Sequence, residues 1–260
     1  MKNNTRRDFI KSSAAVGSFF ILPSGLRAKA PNSKICTAHI GTGGKGRIDT
    51  MYLAKHDNVE VIGLCDVDYA HGKMDTWSKQ FKSATAFQDY REMLAELDDK
   101  IDAVSISTPD HTHYPATMDA MERGKHIYLQ KPLTHKLKEA RQLAEFAAKK
   151  GLTTQMGIQN QSREAYRLAR HYIQEGLIGK VSKVYVWSFK TWGYDGEPFK
   201  EKSEIPDTLD WNLWLGTAPK HDYVSKVYHP GQWRKLLDFG CGTLGDMGIH
   251  IFDTPFKALD

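Results

Sequence analysis

The chain has 260 residues, with 36 lysines and arginines against 31 acidic residues, 40% hydrophobic residues and three cysteines. Aromatic and charged fractions of 11% and 26% describe a folded protein with one large core or two modest ones, not a disordered tail. Three cysteines cannot build a disulfide framework, and no run of eighteen apolar residues exists to span a bilayer as a helix.

The formal charge of +5 lies wholly in residues 1–30, where Lys2, Arg6, Arg7, Lys11, Arg27 and Lys29 oppose Asp8 alone. Residues 31–260 are therefore formally neutral, without a basic field to attract a polyanion, and no nucleic-acid partner is expected. Thr5-Arg6-Arg7-Asp8-Phe9-Ile10-Lys11 resembles a twin-arginine export signal. Residues 14–22 have the dimensions of a signal-peptide apolar region, and Ala28-Lys29-Ala30 offers a small-x-small cleavage site. Residues 1–30 thus read as an export signal and predict a periplasmic or otherwise exported protein; a solvated basic arm is the alternative. The twin-arginine route carries folded proteins, so a nucleotide cofactor could be bound before export and would then have to be retained and recycled.

From residue 34 strands and helices alternate. Strands are expected at 34–40, 59–65, 85–87, 101–107, 126–130 and 153–156, with helices at 46–56, 69–81, up to 94, and 113–123. A further helix from 137 carries Leu137, Ala140, Leu143, Ala144 and Ala147 on one face and charged residues on the other. This βα alternation predicts an α/β fold, with a doubly wound parallel Rossmann sheet over residues 31–157. Beyond Gly157 the pattern changes. A helix is expected at 163–174, a long alternating strand suited to an antiparallel sheet at 181–189, an aromatic-rich irregular stretch at 191–240 and a helical segment at 244–259. A strand at 181–189 has no partner strand after it, so 158–260 reads as an incomplete α/β domain.

Gly41-Thr42-Gly43-Gly44-Lys45-Gly46 is G-x-G-x-x-G, placed after a strand and at the opening of a helix. The first glycine permits the tight turn, the second close backbone approach to a pyrophosphate, and the third close helix–strand packing. Asp66 ends the next strand, where an acid would bond an adenosine ribose hydroxyl; this favours NAD, while Lys45 and Arg47 keep NADP open. Thr108-Pro109-Asp110-His111-Thr112-His113 lies at the C-terminal edge of the fourth strand, where open α/β sheets bind ligands. Thr108, Pro109, His111 and His113 are therefore candidate cofactor contacts, with a helix-capping turn as the alternative; no third ligand is spaced to make His-x-His a metal site. Gln130-Lys131-Pro132 ends the fifth strand at the same edge, where Lys131 could polarise a hydroxyl and touch the cofactor. Asp246 and His250, four apart, share a helix face and suit a general base with an orienting carboxylate. Trp187, Trp192, Trp211, Trp214 and Trp233 could stack against sugar rings or serve as packing for a long irregular segment.

In order, these four motifs resemble those of the glucose–fructose oxidoreductase/inositol dehydrogenase/MocA family, most nearly its exported branch, over about residues 34–260. The resemblance implies a Rossmann domain followed by an α/β domain whose open antiparallel sheet covers a carbohydrate substrate. It implies hydride transfer from a sugar, polyol or glycoside hydroxyl to NAD, with Lys131 on the reacting hydroxyl, His250 as acid/base, and Asp246 orienting substrate or base. NAD-dependent glycoside hydrolysis through transient oxidation is a second activity found among such relatives. Two departures stand out: Gln130 replaces the family's glutamate, and the chain stops at Asp260, soon after the D-x-x-x-H helix. The second departure predicts a truncated chain and admits a third reading, an inactive nucleotide-binding remnant. Family members often associate, so a homo-oligomer is also expected.

Overall fold

A computed structural model describes residues 34–197, 199 and 201–259. The expected export signal at 1–30 lies outside the described residues. Strands β1 (Ile35–Ile40), β2 (Val59–Cys65), β3 (Thr85–Phe87), β4 (Ala103–Ile106), β5 (His126–Gln130) and β6 (Thr154–Gly157) form one sheet. Its order is β3-β2-β1-β4-β5-β6 and every adjacent pair is parallel. Helices α1 (Gly44–Leu53), α2 (Met74–Gln80), α3 (Tyr90–Glu96), α4 (Asp110–Glu122) and α5 (Leu137–Lys150) connect the strands. The chain order reverses between β1 and β4, which opens a crevice at the C-terminal ends of these strands.

The central strands are apolar because helices cover the sheet. Ala38, Ile40, Val104, Ile106 and Leu129 are buried, packed with Ala116, Ala120 and Met121 of α4 and with Leu143 and Ala147 of α5. The buried face of α5 differs from the expected stripe: Leu137 is 93% exposed and Ala144 is exposed, while Phe146 packs on the core. Cys36 pairs with Glu60 in the β1–β2 ladder, five residues from Cys65, so no disulfide joins them.

At the β1–α1 turn, Gly41 has φ +78°, and a Cβ on Gly46 would stand 1.7 Å from the Gly41 carbonyl oxygen. That oxygen belongs to the backbone and cannot turn aside. Gly46→Ala is expected to drive α1 off β1 and to cost about 1–3 kcal/mol, read as a lowered thermal midpoint.

The expected helix at 69–81 starts only at Met74. Two carboxylates fold the segment before it into a loop: Asp66 Oδ1 accepts from the Asp68 N–H, and Asp68 Oδ1 from the N–H groups of Ala70 and His71.

Beyond β6 lie α6 (Glu164–Gln174), α7 (Trp211–Leu215), α8 (Gly242–Ile251) and α9 (Asp253–Ala258). The helical segment expected at 244–259 is thus two helices meeting at Phe252. No strand forms at 181–189, nor an antiparallel sheet among the described residues. Val184, Tyr185, Trp187 and Phe189 are exposed there, because an extended segment without a neighbour can neither pair its backbone nor bury its apolar face.

The aromatic stretch instead makes a second core. Trp211, Trp214, Tyr223, Tyr228, Trp233 and Phe239 pack together, with Trp211 and Trp214 stacked at 4.7 Å. This core is tied to the C-terminal edge of the sheet. The Asp210 N–H donates to the Val67 carbonyl at 2.8 Å, and His229 Nε2 lies 2.9 Å from Asp68 Oδ2.

Candidate active site

The edge of the sheet and the aromatic core enclose a cavity of about 300 Å³. Gly41, Gly43, Gly44 and Lys45 form one wall, with Asp66 beside them. Asp66 Oδ2 accepts from the Thr42 and Gly43 N–H groups at 2.9 and 3.0 Å, so this carboxylate braces the glycine loop. Burial pushes the Asp66 pKa up, and the backbone N–H groups of Asp68, Gly43 and Thr42 partly oppose that rise. Thr42 and Gly46 stay out of the cavity: the Thr42 hydroxyl donates to the Gly72 carbonyl, and Gly46 packs on Gly41.

Thr108 and Pro109 line the same cavity, but His111 and His113 do not. The structure departs from the cofactor-contact expectation for both histidines because α4 starts at Asp110, three residues earlier than expected, and carries them into the packed first turn. His111 Nε2 lies 3.0 Å from the Trp214 carbonyl, while the ring packs on Trp214 and Phe239. Both ring nitrogens of His113 face carbonyls, those of Pro132 at 2.8 Å and Thr108 at 2.9 Å. These histidines connect the two cores and hold the Lys131-Pro132 corner.

Lys131 lines the cavity from the end of β5, and its ammonium meets α8. Lys131 Nζ is 2.5 Å from Asp246 Oδ1 and donates to the Asp246 carbonyl at 3.1 Å. Trp192 Nε1 donates to Asp246 Oδ2 at 2.8 Å, and Arg234 Nε reaches Oδ1 at 3.4 Å. Burial would raise the Asp246 pKa, but the hydrogen bond and charge of Lys131, with Arg234 and Trp192, hold it below the usual carboxylate range. The carboxylate therefore serves Lys131, and its hydrogen bonds go to Lys131, Trp192 and Arg234 instead of to His250. His250 stands one turn further along α8 with Nδ1 buried and unpartnered among the described residues. Burial and then the Lys131 charge depress its pKa, which leaves a neutral imidazole at pH 7.

Three of these contributors lay outside the sequence motifs. Trp192 and Arg234 reach Asp246 from 54 and 12 residues away. Asp49 is buried under the glycine loop, where it binds Lys45 Nζ at 2.6 Å, the Ser107 hydroxyl at 3.0 Å and Gln130 Nε2 at 2.8 Å. A glutamate at 130 would set two carboxylates against each other here. The amide of Gln130 instead donates to Asp49, so the negative charge stands on α1. Of these contacts only Lys45–Asp49 has a local spacing, four residues on one helix.

A nucleotide suits this cavity on three observations. The glycine loop leaves no room for a Cβ at Gly41 or Gly43, the cavity runs from that loop to Lys131, and the buried Trp214 indole N–H in its wall has no partner among the described residues. Among the described residues no three His, Cys, Asp or Glu side chains gather as for a metal ion, and no helix is long and apolar enough to cross a membrane.

A parallel sheet of this order, with a glycine loop at its switch point, defines a nucleotide-binding Rossmann fold, and a lysine–carboxylate pair stands at the same edge. Residues 35–158 match the oxidoreductase family with an NAD-binding Rossmann fold, and 164–259 match the C-terminal alpha/beta domain of the same family. The chain belongs to the Gfo/Idh/MocA family, whose Rossmann domain binds NAD. It is 34% identical over 140 residues to the scyllo-inositol 2-dehydrogenase (NAD(+)) of Bacillus subtilis (strain 168), covering 53% of this chain and 40% of that protein. Scyllo-inositol dehydrogenase from Lactobacillus casei with bound NAD(H) and scyllo-inositol aligns with TM-score 0.51 and 25% identity, over 56% of this chain and 43% of that one. GenD2 from gentamicin A biosynthesis in complex with NAD aligns with TM-score 0.61 and 22% identity, over 90% of this chain and 56% of that one, a likeness of fold. The chain spans 37–56% of the length of five curated relatives that it matches.

Proposed function

We propose that this chain is an NAD-dependent oxidoreductase acting on a hydroxyl of a sugar, polyol or glycoside. The observation that carries this reading is Lys131, which lines the cavity that starts at the glycine loop and is ion-paired behind it with Asp246. The similarity to an inositol dehydrogenase supports the substrate class.

Bound NAD supplies the hydride acceptor. Gly43, Gly44 and Lys45 would hold the nucleotide phosphates at the α1 N-terminus, with Asp66 fixing the loop. Lys131 Nζ, kept charged by Asp246, donates to the hydroxyl oxygen and stabilises negative charge there. His250, one turn beyond Asp246 on α8, is the proposed acceptor of the hydroxyl proton; it does not line the cavity and its unpartnered Nδ1 is buried, so the assignment rests on the resemblance and on its place beside Asp246. The aromatic core screens the cavity from water, which strengthens both interactions.

The arginine pair at Arg6 and Arg7 supports export by the twin-arginine route, and with it a cofactor kept bound through the cycle. Protein purified without added nucleotide, then denatured, is expected to release about one NAD per chain. If none is released and none binds on titration, the reading fails.

A further inference from the structure

Arg234 takes no part in the proton and hydride transfers above, yet its position is closely fixed. Its guanidinium lies 4.3 Å from the centre of the Trp233 ring, Nη1 donates to the Gly231 carbonyl at 3.2 Å, and Nε reaches Asp246 Oδ1 at 3.4 Å. Lys131 Nζ is 2.5 Å from that same oxygen. The two nitrogens are therefore at most 5.9 Å apart, the sum of the two distances. Both residues line the cavity.

Two cations thus share one carboxylate beside the atoms assigned to the chemistry. Of the other charged groups in the wall, Lys45 pairs with Asp49, Asp66 accepts from the Thr42 and Gly43 N–H groups, and Asp110 accepts from the Cys241 N–H; burial pushes the Asp110 pKa up, against the pull of the Lys131 charge. The Lys131–Arg234 end keeps one positive charge beyond what its bonded carboxylate neutralises. A neutral sugar would cover that charge without answering it, at a desolvation cost. A carboxylate would answer it. The guanidinium is planar and already immobilised on an aromatic face, so little freedom is lost when it grips a planar anion.

We propose that Arg234 binds a carboxylate carried by the substrate, and that the preferred substrate is an acidic sugar, a uronic acid or its glycoside. This rests on the oxidoreductase reading of the same site. The ammonium of Lys131 serves the reacting hydroxyl while the guanidinium holds the carboxylate a few ångströms away, which also fixes the hydroxyl to be oxidised.

The test uses the full chain loaded with NAD and matched methyl glycosides and glycosiduronates of gluco, galacto and manno configuration, with the sugar 6-phosphates as a third set. Formation of NADH and quenching of tryptophan fluorescence, to which Trp233 and Trp192 contribute, are followed together. In at least one configuration the acid is expected to show a KM about 10- to 100-fold below that of its neutral partner. Arg234→Gln should erase most of that difference by raising KM and weakening the quench for the acid far more than for the neutral glycoside, and Arg234→Lys should recover only part of it. A preference for neutral members throughout, or for the 6-phosphates, overturns the proposal while leaving the oxidoreductase reading in place. Equal losses for acid and neutral members in Arg234→Gln also overturn it, since Arg234 would then only position Asp246. No turnover of any substrate by a chain that holds no NAD would instead remove the oxidoreductase reading.

Discussion

Asp246→Ala is expected to lower the melting temperature by roughly 6 to 20 °C, one of the two largest effects foreseen for a single substitution here. The Lys131 and Asp246 side chains are each only 13% exposed, and Arg234 and Trp192 converge on the same carboxylate. Removing it strands a buried ammonium, which costs about 3–5 kcal/mol, and each kcal/mol moves the midpoint of a chain this size by about 2–4 °C. Asp246→Asn keeps the shape and one acceptor, and should fall between alanine and the native protein. The pH dependence has a definite sign. The folded pKa of Asp246 lies below that of a free carboxylate, so its contribution is fully present above the unfolded value and disappears as pH falls through the folded value. The gap between native and Asp246→Asn protein should therefore close in acid. A midpoint change under about 2 °C for the alanine variant at neutral pH would mean the pair contributes little.

His250→Gln is expected to reduce kcat by about 10²- to 10⁴-fold, the usual span for a lost general base. The native enzyme should keep kcat/KM level down to pH values below the ordinary histidine range, because burial and the Lys131 charge favour the neutral ring. Its rate should then fall as His250 takes up a proton at lower pH. In His250→Gln that acid limb should vanish along with the rate. A variant that kept the limb would place the base on another residue.

The Rossmann half was legible in sequence because its signals are local. Continuous apolar strands, a glycine-rich turn and Asp66 at the end of β2 each announce themselves within a few residues, and all six strands fall within two residues of their expected bounds. Lys131 and Asp246 were each identifiable, and the resemblance put them in one site. Their direct bond, across 115 residues, is visible only in three dimensions. Other features depended on contacts that no periodicity encodes. The alternation at 181–189 is a property of the side chains, but a strand also needs a neighbouring strand, and among the described residues none pairs with it. His111 and His113 carry a chemistry-rich pattern, but the start of α4 at Asp110 turned both into packing residues. Asp49 belongs to none of the sequence motifs, yet it meets Lys45, Ser107 and Gln130, the last two 58 and 81 residues away.

The aromatic core over the cavity has few regular elements: one five-residue helix, Trp211–Leu215, and a single turn at Gln232–Lys235. Its backbone is held by side chains and scattered bonds to the sheet edge, not by a ladder whose register every residue must respect. Exchange of an aromatic or a loop residue there can reshape the substrate end while the glycine loop, pinned by Asp66 and by Gly46 on Gly41, stays as it is. Such a division makes the two ends of the cavity unequal under mutation: the nucleotide end is held by close backbone contacts, while at the other end the loop residues around the fixed Lys131–Asp246 pair have more room to change. New specificities can then arise on this scaffold without rebuilding its nucleotide-binding end.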